Sequence, residues 1–259
     1  MSLIIKKNTT FKIPRTPFLP SSLAGLSLWL KADAGVTLAG SNVTAWADQS
    51  QNGNNATART GNSTFVSSVI NGKPVLRFDG TANLITNNFF VHNYNTPITI
   101  IAVSKASAST VRGEQPTARY IACVTNNGGY EFGLSYGAYE AENPNFSNTY
   151  GISYAGSADI ESSPMGENEK RIASTINSGS EISFFLDATL VGTADPAVDW
   201  SGGNNSTGAF SIGSDVVLDE IDNFFCTCDI AEIIIYNRAI TTPERQQVEA
   251  YLNSKYQIY

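Results

Sequence analysis

The closing stretch Asp229–Tyr256, DIAEIIIYNRAITTPERQQVEAYLNSKY, constrains the fold more than any other part of the chain. Its first half, IAEIIIY over 230–236, is strongly apolar and predicts a strand that completes a sheet. Its second half predicts a helix. Thr242-Pro243-Glu244 supplies an N-cap, a proline at N1 and an early acid, which satisfy orphan amides and the helix dipole. Val248, Tyr251, Leu252 and Tyr256 then form one apolar stripe. A single amphipathic helix of this kind, following a set of strands, packs across the flank of a sheet.

The rest of the sequence points to an all-β body. Charged residues make up only 15% of the 259 positions and aromatics 10%, with Ser, Thr, Asn and Gly abundant, a mix suited to short strands joined by polar turns. Strands are predicted at 26–30, 75–78, 98–104, 119–124, 130–136, 210–214 and 230–236, with a hairpin across 171–192. Trp46 introduces a polar turn run over 48–58. Residues 138–170 show no clear periodicity and predict a long excursion at the sandwich edge or mouth, where binding loops commonly lie. Repeats of solenoid or propeller length are not seen.

Residues 1–22 differ from the body. Pro14, Pro17 and Pro20 disfavour helix and central strand, which leaves an extended arm laid over its own domain or a neighbouring subunit, or a disordered tail. The domain proper is expected over 23–259. The N-terminus does not read as a secretory signal, because its lysines follow the short apolar patch. A net charge of −7 disfavours phosphate backbones, so no nucleic-acid partner is expected. No apolar run is long enough to insert in a bilayer. Cys226 and Cys228 stand two apart on one strand face and Cys123 leaves the count odd, a pattern of buried free thiols; with one histidine in the chain, zinc is not expected.

LSLWLKADAGV (26–36), WADQSQNGNNATA (46–58), NGKPVLRFDG (71–80) and the closing stretch together resemble the laminin-G-like domains of the concanavalin A-like lectin/glucanase superfamily. The resemblance implies a two-sheet antiparallel jelly-roll sandwich with its first and last strands adjacent and one C-terminal α-helix. Relatives often carry SGNGN where this chain has SQNGN, so Gln51 departs from the pattern.

The superfamily includes glycoside hydrolases, whose retaining members need two carboxylates about 5–5.5 Å apart. Glu220-Ile221-Asp222 nearly matches their strand motif, yet Phe224 and Phe225 stand where the second Glu would be. His92 has no nucleophile motif nearby. On these grounds the chain is expected not to be an enzyme. The run from Asp48 to Asn54 has oxygen side chains at alternate positions, but Arg59 replaces the closing Glu of a calcium loop. It reads as a turn in which Asp and Asn cap backbone amides, with a structural Ca²⁺ held by Asp48 and Asp229 as the alternative; no cofactor is required. Tyr130, Tyr136, Tyr139 and Trp200 are the candidate sugar-stacking aromatics. The function expected first is a virion decoration, fibre or adhesin component, bound to other virion or surface proteins through the arm, with glycans or a second copy as further partners. A secreted or cell-surface carbohydrate-binding module is the alternative, and a divergent glycoside hydrolase the second.

Overall fold

The computed structural model describes residues 17–87, 90–92, 96–106, 119–124, 132–136, 150–154, 160–162, 168–195, 206–214 and 225–259. They form an antiparallel sandwich flanked by one helix, as the sequence predicts; its two layers are joined where Asn42 pairs with Thr64, and Phe90–His92 and Ser206–Gly208 form a separate short ladder.

The first sheet is built around the strand Thr227–Tyr236. One edge of that strand pairs with Lys73–Asp79 along its first half and with Leu26–Lys31 along its second. The other edge pairs with Ile98–Ala106, after which come Lys170–Asn177, Ile182–Leu186 and Thr189–Ala194. Thr64–Ile70 joins Lys73–Asp79 through a hairpin. The second sheet runs Val36–Ala39, Asn42–Trp46, Ala56–Thr60, Asn83–Thr86, Phe210–Ile212, Arg119–Val124, Phe132–Tyr136, Tyr150–Tyr154 and Ile160–Glu161. Among the described residues every ladder is antiparallel, and the first and last long strands are neighbours.

Alternation of side chains along the strands sorts the core into two layers. Between the sheets lie Leu28, Leu30, Trp46, Leu84, Ile100, Phe132, Leu134, Phe184, Ile212, Ile230, Ile233 and Ile235. The opposite face of the first sheet carries Trp29, Val75, Ile101, Val103, Ile172, Ala231, Ile234 and Tyr236, on which Val248, Leu252 and Tyr256 of the helix Thr242–Tyr256 pack. The last strand is apolar at most positions because it is buried on both faces, with Asp229 and Glu232 as its charged exceptions. Each fully buried Ile or Leu there is worth about 1.5–3 kcal/mol.

A bulge breaks the alternation of this strand between Ile230 and Glu232 on its Ile98–Ala106 side. The extra residue turns both Ala231 and Glu232 toward the helix. The buried Glu232 carboxylate accepts hydrogen bonds from Trp29 Nε1 (2.6 Å), Tyr256 Oη (2.8 Å) and Tyr251 Oη (3.1 Å), and pairs with Lys255 Nζ at 2.8 Å. A second buried charge follows on the helix. Glu249 accepts from Arg245 Nη1 at 2.5 Å and from Ser174 Oγ at 2.9 Å, while the Arg245 guanidinium lies 3.8 Å over the Phe185 ring.

Several local expectations change. The helix cap is Thr241, not Thr242, and Pro243 sits one residue further in than predicted. Glu244 completes the box, accepting from Thr241 N at 2.8 Å and Thr241 Oγ1 at 2.9 Å. The polar run 48–58 is not all turn: Ala56–Thr60 is a strand in which Ala56 is buried and Thr57, Ala58, Arg59 and Thr60 are exposed, leaving no apolar alternation to read. The excursion 138–170 contributes strands Tyr150–Tyr154 and Ile160–Glu161 to the second sheet. The end of the predicted arm is already packed. Pro20 is buried and its carbonyl accepts from Tyr236 Oη at 3.0 Å, while Phe18 lies against the helix-side core. Residues 1–16 lie outside the described residues. Cys123, Cys226 and Cys228 are buried free thiols, and burial beside Cys226 raises the pKa of Cys228. No helix among the described residues is long and apolar enough to cross a membrane.

Candidate functional site

The turn after Trp46 is built around one carboxylate. Asp48 accepts from the backbone amides of Trp29 (2.9 Å), Ser50 (2.8 Å) and Asn54 (3.1 Å), and from Ser50 Oγ at 2.7 Å. Asn54 Nδ2 and Asn52 Nδ2 each donate at 2.8 Å, to the carbonyls of Ser27 and Leu26, tying the loop to the start of the first strand. Gln51 takes φ 74° and Gly53 φ 75°, so the loop keeps a left-handed backbone at the position where a glycine would fit best.

Asp229 lies on the outer face of the first sheet, held by Arg77 Nε at 2.7 Å and Arg77 Nη2 at 2.9 Å. This fork-to-fork geometry, led by the hydrogen bond to Asp229, raises the pKa of Arg77. Asp48 and Asp229, the residues expected to hold a calcium ion, are both engaged by donors within the protein. The lone pairs of Asp48 are taken by loop donors, and both oxygens of Asp229 by a guanidinium. Among the described residues no three His, Cys, Asp or Glu side chains gather as a metal site needs.

The aromatic candidates separate. Tyr136 is only 5% exposed and belongs to the core between the sheets, with its ring 5.1 Å from Tyr150 in an edge-on contact. It is no platform for a sugar ring, because its strand position faces inward. Tyr130, Tyr139 and Trp200 lie outside the described residues, as do Glu220 and Asp222. His92 stands on a short strand whose backbone pairs with Ser206.

What the structure assembles instead is a cross-strand row at one end of the first sheet. Arg77, Asp229, Lys105 and Lys170 occupy consecutive strands in direct register. Their sequence neighbours Leu76, Phe78 and Ile230 point into the sandwich, and Val103 and Ile172, two residues along, face the helix layer. The row therefore lies on the outer face, beyond the helix-covered patch. Arg77 and Lys170 are exposed and Lys105 is half-buried, while Asp229 is buried beneath the Arg77 side chain. The arrangement offers guanidinium and ammonium donors at spacings set by the sheet, about 4.8 Å per strand. Sequence reasoning isolated Asp229 alone, since nothing local links it to Arg77, Lys105 or Lys170.

No family model matches the chain, and no curated protein matches it. Solved structures share its fold. A mutant Trypanosoma rangeli sialidase displaying trans-sialidase activity superposes with a TM-score of 0.59 at 16% identity, over 90% of this chain and 33% of its own. The Trypanosoma rangeli sialidase in complex with the inhibitor DANA gives 0.57 at 16% identity, over 90% and 35%. The binding domain of botulinum neurotoxin serotype D/C VPI 5993 gives 0.55 at 14% identity, over 90% and 53%. The chain thus spans about a third of the sialidases and about half of the toxin domain, and at these identities the likeness is one of fold. The expectation that the chain is not an enzyme is corrected by these neighbours. Sialidases share the sandwich, so the fold is no ground for setting catalysis aside.

Proposed function

We propose that this chain is a glycan-binding module. The observation that carries the reading is the row Arg77–Asp229–Lys105–Lys170, a set of hydrogen-bonding groups in fixed register that serves neither apolar core. Sugar recognition needs hydroxyl-directed donors and acceptors on a rigid frame, and a central sheet supplies one. The likeness to a toxin binding domain and to sialidases supports the reading, since one name denotes binding and the other action on a sugar. The resemblance to laminin-G-like domains supports it from the sequence side.

The setting we propose is display on a larger assembly, a virion first and a cell surface second. Residues 1–16 carry Lys6, Lys7, Lys12 and Arg15 and no acid, which suits docking to a partner protein. The test is an array of immobilised natural glycans probed with the whole chain. Retention on a defined subset, lost on competition with the same free sugar, is the expected result. An array with no signal above a blocked surface would overturn the reading.

A further inference from the structure

We infer that the row takes an anionic glycan, a saccharide bearing carboxylate or sulfate groups; this rests on the glycan-binding reading and names the ligand class of the same site. Lys105 and Lys170 stand directly opposite each other on adjacent strands. Like charges in that position destabilise a sheet, and nothing in either core requires them. Neither lysine makes a hydrogen bond or ion pair among the described residues. Asp229, on the other side of Lys105, has both oxygens engaged by Arg77, so it offsets the lysine charge only at a distance. Asp79, two residues beyond Arg77 on the same strand, accepts from Thr81 N at 3.0 Å and Thr81 Oγ1 at 2.7 Å within its own turn.

The consequence, among the described residues, is an excess of cations along one line of the outer face, in a chain whose net charge is −7. Arg77 is anchored through Nε and Nη2, which fixes its guanidinium plane and leaves its remaining edge to the outside; its side chain is 46% exposed. Adjacent strands place the two lysines one ladder step apart, and Arg77 two steps from Lys105. Acidic groups on successive sugar units can meet them in turn. Asp229 between the cations discourages an anion at that step, so the pattern selects where charge stands along the ligand as well as its sign.

The test measures binding of a heparin-derived octasaccharide and of a neutral cello-oligosaccharide to the whole chain, at low and high salt. The acidic probe should bind and weaken with salt, and the neutral one should bind far less. Lys105→Gln and Lys170→Gln should each lower affinity about fivefold, the effect of one exposed cation facing an anionic surface. Lys170→Glu should abolish binding while holding or raising the melting temperature, because it replaces repulsion across the ladder with attraction. Undiminished binding by the lysine variants, or equal binding of both probes, would overturn the assignment. If the glycan array gives a specific signal but the acidic probe fails, the row proposal falls and the broader reading stands. A silent array removes both.

Discussion

At the scale of single residues, the backbone records where side-chain identity and conformation disagree. Gln51 and Ala188 both hold positive φ, 74° and 65°, without being glycine. A residue with a Cβ in that region costs about 1 kcal/mol or more. We expect Gln51→Gly and Ala188→Gly each to raise stability by about 0.5–1 kcal/mol in urea unfolding, both despite the added freedom of the unfolded chain. Glu244 shows the opposite economy. The Arg238 guanidinium, with the Thr241 amide, lowers its pKa from 4.5 to about 2. A depressed folded-state value means its stabilisation is complete above pH 4.5 and is lost as pH falls through 2. Melting curves of the native chain and of Glu244→Gln should therefore differ at neutral pH and converge near pH 2.

Between elements, the joint of helix and sheet depends on buried charge. Glu232 gathers Trp29, Tyr251, Lys255 and Tyr256 around one carboxylate. Its loss would leave the Lys255 ammonium to Asp33 alone and take the acceptor from Trp29 Nε1 and Tyr251 Oη. Glu232→Ala should cost about 3–5 kcal/mol in denaturant unfolding, with helix amides exchanging first. For Arg245 and Glu249, replacing the pair together by apolar residues of similar volume should be near neutral, whereas replacing Glu249 alone should cost about 3–5 kcal/mol. A double-mutant cycle separates the two cases. The helix was legible in the sequence because its cap and stripe are local signals. Its clamp was not. Glu232 faces the helix only because a bulge adds a residue, and Arg245 and Glu249 read as ordinary solvent-facing charges until a second layer covers them.

For the molecule as a whole, the sequence conveyed the sandwich and the adjacency of its ends more fully than its site. Apolar runs such as IAEIIIY announce central strands whatever their partners. Strands like Ala56–Thr60, with one buried residue, send no such signal. The row Arg77–Asp229–Lys105–Lys170 depends on strand order, since residues far apart in the chain meet only after the ladders form. The aromatic candidates misled at Tyr136 because an exposed and a core tyrosine look alike in one dimension, and composition cannot tell which face of a strand is covered.

The strand Thr227–Tyr236 lies at the centre of the first sheet, bonded to Leu26–Lys31, Lys73–Asp79 and Ile98–Ala106. Three earlier strands therefore wait for a partner synthesised long after them. A nascent chain holds those edges unpaired until the last strand leaves the ribosome, a period in which they can pair with neighbours instead. Such long-range closure makes for slow folding. Expression at low temperature, or with a holdase chaperone supplied, should raise soluble yield more than stabilising substitutions do. Ribosome-stalled chains ending before residue 227 should be protease-sensitive, and those that include the whole strand and helix resistant.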